Sequence, residues 1–93
     1  MLFLSPEKLQ AYVGAYEFSP GAKFEITAKG DQLYAQLPEQ PAFPVDCDRP
    51  DHFVYEVINA TVNFERDASG TITALSLDQG PRSTRATRIA TSH

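Results

Sequence analysis

The stretch from Phe64 to Leu77, FERDASGTITALSL, constrains the fold of this chain more than any other segment. Two runs rich in apolar and β-branched residues flank a polar four-residue turn, Asp67 to Gly70, which is typical of a β-hairpin. The same unit recurs along the chain as short β-prone runs cut by Gly, Pro, Asp or Asn. A chain built in this way predicts an all-β fold made of consecutive hairpins.

Alternation of apolar and polar residues locates the strands. Between Lys23 and Lys29 the apolar residues fall on one face and the charged residues on the other. The apolar phase slips between Ile72 and Leu75, which indicates a β-bulge. Asn59 predicts a turn. Strands are predicted over residues 15–18, 23–29, 32–37, 43–46, 52–58, 61–66, 71–77 and 84–90.

About eight strands joined by short links predict an antiparallel up-and-down order, since the long crossovers that parallel pairing needs are absent. Such a meander hides its edges by closing into a barrel, and a two-sheet sandwich is the alternative. Three prolines between Pro38 and Pro44 exclude a central strand there and predict an edge or a corner. The predicted core is Phe24, Ile26, Leu33, Leu37, Phe53, Tyr55, Val62, Phe64, Ile72, Leu75 and Leu77.

A short helix over residues 6–13 is predicted before the first strand. Ser5 is a good N-cap, Pro6 suits the first helical position, and Gly14 ends the pattern. With 93 residues, the chain is expected to form a single β-barrel domain over residues 1–93 with strands from 15 to 90.

The formal net charge of −4 argues against nucleic acid and against an anionic membrane surface as partners, because both need a basic face. Cys47 is the sole cysteine, so no intramolecular disulfide forms. The opening residues 1–4 are apolar but too short for a signal peptide, and no apolar run approaches the roughly 20 residues of a membrane span. These features leave the cellular compartment open.

Two motifs bear on catalysis. Ser5 to Lys8 fits S-x-x-K, the nucleophile motif of penicillin-recognising serine enzymes, but neither S-D-N nor K-T-G follows. The favoured interpretation is a helix N-cap. No G-x-S-x-G sequence offers a serine to His52 or His93. We therefore predict no catalytic residues.

The segment from Asp46 to His52 concentrates oxygen, sulfur and nitrogen donors, yet no second cysteine or spaced histidine pair completes a zinc set. A solvated loop is favoured, and no metal or cofactor is predicted. Asn59 to Thr61 fits a glycosylation sequon, which we interpret as chance. The turn at Asp67 resembles the start of a calcium loop but lacks its later Glu.

Tyrosine hydroxyls and one arginine are the candidate ligand-binding groups. Arg82 and Arg88 share one face of the last strand and Arg85 takes the other, so an arginine pointing into a barrel could bind a carboxylate bidentately. The alternative is structural packing for the tyrosines and surface charge for the arginines. The candidate ligand-binding residues are Tyr16, Tyr34, Tyr55 and Arg88.

The order of turns and apolar positions from about residue 5 to 90 carries a family resemblance. The residues are Leu9-x-x-Tyr12-Val13-Gly14-x-Tyr16, Gly30-Asp31-x-Leu33-x-Ala35-Gln36-Leu37, Phe53, Val62-x-Phe64-x-Arg66-Asp67-x-x-Gly70-x-Ile72-x-x-Leu75-x-Leu77-x-Gln79 and Ala86-x-Arg88-Ile89. The chain resembles the C-terminal domain of unknown function that follows class C β-lactamase-like serine hydrolase domains, mostly in bacteria. It departs from that pattern at residues 78–81, where the family tends to show His and Asn-Gly.

The resemblance implies a lipocalin-like barrel that accompanies a serine hydrolase and has no established activity of its own. The expected function is therefore a non-catalytic accessory domain, with the hydrolase as partner in the same chain or a separate one. Parent enzymes of this kind are often exported. A homodimer through Leu2, Leu4, Leu9 and Val13, or through an edge strand, is also predicted. The alternatives are a free-standing small-molecule-binding barrel and, third, a small enzyme.

Overall fold

The strands of this protein follow one another as a meander. A computed structural model describes residues 4–89. One short helix precedes the strands, and a 3₁₀ turn, Glu56–Ile58, interrupts them. The elements are α1 Pro6–Leu9, β1 Gly14–Ser19, β2 Ala22–Lys29, β3 Gln32–Gln36, β4 Phe43–Arg49, β5 His52–Tyr55, β6 Ala60–Arg66, β7 Ile72–Gln79 and β8 Arg82–Arg88.

Each strand pairs antiparallel with the next, and β8 returns to pair with β1, which closes the barrel. At this closure Tyr16 lies opposite Arg88 and Glu17 opposite Thr87. Closure satisfies the backbone groups that an open sheet would leave unpaired at its two edges. The predicted all-β, up-and-down barrel of eight strands with a short N-terminal helix is confirmed, and the sandwich alternative does not form.

Alternation along the strands decides which side chains fill the barrel. In β2, Phe24 and Ile26 point inward and are buried, while Lys23, Glu25 and Thr27 are exposed. Every member of the predicted core is buried except Leu37, which is half-buried just beyond the end of β3. The period of two in the sequence therefore reports the inner face of the barrel correctly.

The predicted bulge is confirmed in the β6–β7 hairpin. Glu65 pairs with Ala74 and Arg66 pairs with Ile72, so Thr73 has no partner in the register. Because of the extra residue, the consecutive residues Ala74 and Leu75 are both buried.

The predicted helix over residues 6–13 is too long, since α1 ends at Leu9. Its capping is as predicted, with Ser5 Oγ accepting a 3.4 Å hydrogen bond from the backbone N–H of Lys8. Beyond it the chain tightens into i→i−3 hydrogen bonds, among them Tyr12 N–H to Leu9 C=O at 3.0 Å. This tighter winding brings residues three apart into line. It lets Leu9 and Tyr12 both bury against the barrel.

The predicted strand over residues 52–58 is also too long. β5 ends at Tyr55, and the 3₁₀ turn leads to Asn59, which has a left-handed φ of 52°. Asparagine tolerates this conformation better than most residues, so the predicted turn at Asn59 is confirmed.

Pro44 lies inside β4, opposite Tyr34 of β3, although the proline-rich segment predicts no central strand. The pairing of β4 with β5 begins only at Asp46. Pro44 therefore sits where its strand has one partner, as its missing N–H requires. The pairing also carries β4 to Arg49, beyond the predicted end at Asp46.

Candidate functional site at the helix end of the barrel

The up-and-down order gives the barrel two distinct ends. We call one the helix end, because α1, the start of β1, the end of β8 and the turns β4–β5 and β6–β7 meet there. The opposite end carries the β1–β2 turn, the β3–β4 loop and the 3₁₀ turn. The main polar cluster described below lies at the helix end.

The structure brings together two of the four candidate ligand-binding residues. Tyr16 and Arg88 face each other across the β1–β8 pairing, with the guanidinium carbon 5.8 Å from the ring centroid of Tyr16. Tyr55 is buried inside the barrel. Tyr34 falls between the inward-facing Leu33 and Ala35 and so lies on the outer wall. The four side chains do not line one common cavity.

Arg88 binds the backbone of its own barrel. Its guanidinium donates to the carbonyl of Val13 at 2.5 Å and to the carbonyl of Ile72 at 3.2 Å. These bonds tie β8 to the starts of β1 and β7. Arg85 points outward and forms a two-bond ion pair with Glu65, at 2.9 and 3.0 Å. Arg88 therefore stabilises the closure, and Arg85 pairs with Glu65 on the outer wall.

The buried tyrosine hydroxyls are also used internally. Tyr16 donates to the carbonyl of Tyr12 at 2.7 Å, and Tyr55 donates to the carbonyl of Ala35 at 3.2 Å. Burial raises the pKa of Tyr16 to about 12, although the nearby Arg88 opposes the shift. Burial likewise raises the pKa of Tyr55. Both phenols therefore stay protonated and act as hydrogen-bond donors at neutral pH.

A second cluster at the helix end was missed by the sequence analysis. The hydroxyl of Tyr12 donates to Oδ1 of Asp51 at 2.7 Å. Arg66 donates two hydrogen bonds to the same carboxylate, from Nε to Oδ2 and from Nη2 to Oδ1, both at 2.9 Å. The guanidinium carbon of Arg66 also lies 5.7 Å from the ring centroid of Tyr12. We call this set the Tyr12–Asp51–Arg66 network.

The backbone explains why these three side chains meet. Asp51 ends the β4–β5 turn with a left-handed φ of 63°, and its carbonyl accepts from the N–H of Phe64 in β6 at 2.8 Å. Arg66 ends β6 and also donates to the carbonyl of Gly70 at 2.7 Å. The network therefore joins the segment after α1 to two turns of the barrel.

The electrostatics of the network follow from its bonds. The hydrogen bonds from Arg66 lower the pKa of Asp51 below its usual value, burial opposes this, and the bond from Tyr12 adds to it. Burial, together with the Asp51 charge, raises the pKa of Tyr12 to about 12. The bonds to Asp51 raise the pKa of Arg66. At neutral pH the network thus holds a carboxylate, a guanidinium and a neutral phenol.

An open cleft of about 520 Å³ lies beside the network, between α1 and the β4–β5 turn. Its walls combine apolar side chains with the three network residues and one lysine. The lining residues are Leu4, Lys8, Ala11, Tyr12, Pro50, Asp51 and Arg66.

The segment from Asp46 to His52 does not assemble a metal site. Cys47 points into the barrel, its Sγ lies 3.1 Å from the carbonyl oxygen of Arg49, and burial raises its pKa. Asp48 contacts Nδ1 of His52, and this bond lowers the pKa of Asp48. Between residues 4 and 89, no group of three or more His, Cys, Asp or Glu side chains could hold a metal ion.

Two further motifs take local roles. Oδ1 of Asp67 accepts from the N–H groups of Ser69 and Thr71 at 2.9 and 3.0 Å, so this carboxylate closes the predicted hairpin turn. Asp78 accepts from Asn63 at 2.7 Å on the outer wall. The described part of the chain contains no helix long and apolar enough to cross a membrane.

Fold and site together define a small, closed, eight-stranded antiparallel barrel domain whose helix end is fixed by the Tyr12–Asp51–Arg66 network. The family model described as "Domain of unknown function (DUF3471)" matches residues 4–89. The chain therefore belongs to this family, and the part of the expected resemblance that names a domain of unknown function is confirmed. A search of curated proteins finds no match.

Proposed function

We propose that this barrel is a non-catalytic accessory domain that associates with a β-lactamase-like serine hydrolase domain, in the same chain or a separate one. The partner comes from the resemblance of the residues quoted above. The accessory role is supported by one structural observation: aromatic side chains fill the barrel interior, and the buried hydroxyls of Tyr16 and Tyr55 donate to its own backbone carbonyls. A barrel filled in this way offers its outer surface for recognition.

The aromatic packing centres on Phe64. Its ring centroid lies 4.6 Å from that of Tyr12, 5.5 Å from Phe53 and 5.8 Å from Tyr16. The pairs with Phe53 and Tyr16 are edge-to-face, a favourable geometry for aromatic rings. Such a core favours a rigid scaffold over a container for a ligand.

The position of Ser5 supports the non-catalytic part of the proposal. Its Oγ caps α1 by accepting from the backbone N–H of Lys8, and among residues 4–89 no side-chain base is hydrogen-bonded to it, since His52 is bonded to Asp48. A serine nucleophile needs a base within hydrogen-bond reach of its hydroxyl. We expect the purified chain neither to hydrolyse nitrocefin nor to become labelled by a fluorophosphonate. Stoichiometric labelling that Ser5→Ala abolishes would contradict the proposal.

Association is tested by mixing the purified chain with the β-lactamase-like serine hydrolase domain encoded in the same genome, and with hen lysozyme as a control. Sedimentation velocity should show a faster-sedimenting complex with the hydrolase alone. Independent sedimentation of the two proteins at about 100 µM each, a concentration that populates complexes of micromolar Kd, would refute the pairing.

The predicted homodimer remains a prediction, to be read from the same runs without hydrolase. Closure of the barrel removes the edge-strand route, and Leu9 is buried against its own barrel. Leu2 lies outside the described residues. Leu4 and Val13 are half-buried, and Val57 is 55% exposed in the 3₁₀ turn. A dimer would therefore form through Leu4 and Val13 at the helix end, or through Val57 at the opposite end of the barrel.

A free-standing small-molecule binder is the second candidate function. The observation that favours it is the cleft beside the Tyr12–Asp51–Arg66 network, which lies outside the barrel. Its volume falls within the range of small-molecule sites, roughly 300–1,000 Å³. Equilibrium dialysis against a mixture of small metabolites, followed by mass spectrometry, separates this function from the accessory role. Retention of a compound by the chain favours the binder.

A further inference from the structure

The cleft between α1 and the β4–β5 turn has the composition of an anion site with an apolar wall. Leu4, Ala11 and Pro50 supply apolar surface, and Lys8 supplies an ammonium group. Among residues 4–89, no carboxylate lies within ion-pair distance of Lys8.

The charges of the Tyr12–Asp51–Arg66 network, added to that of Lys8, decide the net charge of the cleft. Both oxygens of Asp51 accept hydrogen bonds from Arg66, so this carboxylate is neutralised within the cleft. The Arg66 side chain is nonetheless 38% exposed. Lys8 and Arg66 together outweigh Asp51 by one positive charge, in a chain whose formal net charge is −4. The cleft is thus locally positive on an acidic protein.

The hydrogen bonds that Tyr12 and Arg66 already make in the cleft also favour an anionic ligand. The Tyr12 hydroxyl already donates a hydrogen bond to Asp51, and its raised pKa keeps the phenol neutral. The guanidinium of Arg66 has five N–H donors in total. It uses Nε and one hydrogen of Nη2 on Asp51, the other Nη2 hydrogen on the Tyr12 hydroxyl at 3.5 Å, and one hydrogen of Nη1 on Gly70. The second Nη1 hydrogen is left for a ligand. An unused N–H donor on Arg66, beside an Asp51 carboxylate whose oxygens already accept hydrogen bonds, favours an anionic ligand over a cationic one.

We propose that this cleft binds a small monocarboxylate with a short alkyl chain, the carboxylate at Lys8 and Arg66 and the chain against Leu4, Ala11 and Pro50. The site is external to the barrel core and uses none of the four candidate residues Tyr16, Tyr34, Tyr55 and Arg88. The proposed ligand class belongs to the second candidate function, on which it rests, and does not depend on the proposed pairing with a hydrolase.

The test is a ¹H–¹⁵N NMR titration of the whole chain with sodium hexanoate at constant ionic strength. We expect saturable shifts at the amides of Leu4, Ala11, Asp51 and Arg66, with a Kd of about 1–20 mM, a range set by the low affinity of so small a ligand. Hexylammonium, hexanol and inorganic phosphate serve as matched probes. Each should need at least roughly fivefold higher concentration for the same shifts, because each lacks the anionic head or the alkyl chain.

Lys8→Glu is the deciding variant, with Lys23→Glu as its control. Both lysines are exposed and both changes alter the charge equally, but Lys23 lies at the start of β2 away from the cleft. Lys8→Glu should weaken hexanoate binding at least about threefold and Lys23→Glu should not, as expected for loss of an exposed charge contact. Absence of saturable shifts overturns the proposal, and so does equal weakening by both variants. Binding of hexanol or phosphate as tight as that of hexanoate overturns the assignment of the site to monocarboxylates.

Discussion

The phenol of Tyr12 donates a 2.7 Å hydrogen bond to the carboxylate of Asp51, which lies 39 positions further along the chain. The bond connects the segment after α1 to the β4–β5 turn. Arg66 holds the same carboxylate from β6. The N-terminal segment is therefore attached to the barrel by a polar anchor as well as by the burial of Leu9 and Tyr12.

Tyr12→Phe tests the anchor with minimal loss of packing. A hydrogen bond to a charged group contributes about 1.5–3 kcal/mol, but Asp51 keeps its bonds to Arg66, so we expect a loss of about 1–2 kcal/mol in the free energy of unfolding. Urea unfolding followed by circular dichroism measures it. Tyr34→Phe is the control, because Tyr34 makes no side-chain hydrogen bond within residues 4–89. Equal effects of the two variants would argue against the anchor.

Asp51 should make stability depend on pH on the acid side. Its pKa is lowered in the folded protein, chiefly by the hydrogen bonds from Arg66, relative to the ordinary value of 3.8. A lowered folded pKa means that the unfolded chain takes up protons first. The stabilisation is therefore fully present above about pH 5 and is lost as the pH falls through the folded pKa.

Asp51→Asn isolates this contribution and preserves the backbone, because asparagine also tolerates the left-handed φ of this turn. We expect the difference in unfolding free energy between wild type and variant to be largest near neutral pH and to shrink steadily below about pH 4. Asp31→Asn, in the exposed β2–β3 turn, controls for the change in net charge. A wild-type-to-variant difference that is as large at pH 3 as at pH 7 would contradict the assignment.

Local sequence patterns predicted most of the fold, because alternate residues of a strand face the barrel interior and leave a period of two in the sequence. The phase slip between Ile72 and Leu75 even located the bulge at Thr73. The pattern also placed Tyr34 with Gln32 and Gln36 on the polar face, which is the outer wall. The prediction of Tyr34 as a ligand-binding residue lining a cavity of the barrel is therefore inconsistent with its place in this alternation.

The network could not be predicted in the same way, because its members meet only after the barrel closes. Tyr12 and Arg66 both belong to the residues that carry the family resemblance, but Asp51 belongs to a polar turn and stands out by no local spacing. The lengths of α1 and β5 were overestimated for a related reason. Burial of Tyr12 on the barrel and the 3₁₀ turn Glu56–Ile58, which ends β5 before the predicted turn at Asn59, carry no distinct local pattern.

Phe64→Ala should remove the centre of the aromatic core. Phe64 is buried and its ring contacts those of Tyr12, Phe53 and Tyr16. Such truncations cost about 3–5 kcal/mol, a large share of the 5–15 kcal/mol typical of a whole domain. Thermal and urea unfolding measure the loss. Val57→Ala, at a 55% exposed position, should change stability by no more than about 0.5 kcal/mol. A small effect of Phe64→Ala would contradict the packing described.

Gly14 and Arg88 are coupled at the barrel closure. A Cβ at position 14 would lie 3.1 Å from Nε of Arg88, and the φ of Gly14, 154°, is one that side chains rarely adopt. Gly14→Ala should therefore push the guanidinium away from the carbonyls of Val13 and Ile72. With backbone strain added, we expect a loss of about 2–4 kcal/mol.

Two comparisons separate backbone strain from crowding of Arg88 as causes of that loss: Gly21→Ala, and Gly14→Ala in an Arg88→Ala background. Gly21 also has a positive φ, 79°, but no atom lies within 4 Å of the position that a Cβ would take there, so alanine should cost only the strain of about 1–2 kcal/mol. In the Arg88→Ala background, Gly14→Ala should likewise cost only its backbone strain, because the crowded side chain is gone. The urea midpoints of the two single variants and the double variant give this coupling energy. Strict additivity would show that Gly14 is required for its backbone conformation and not for the approach of Arg88.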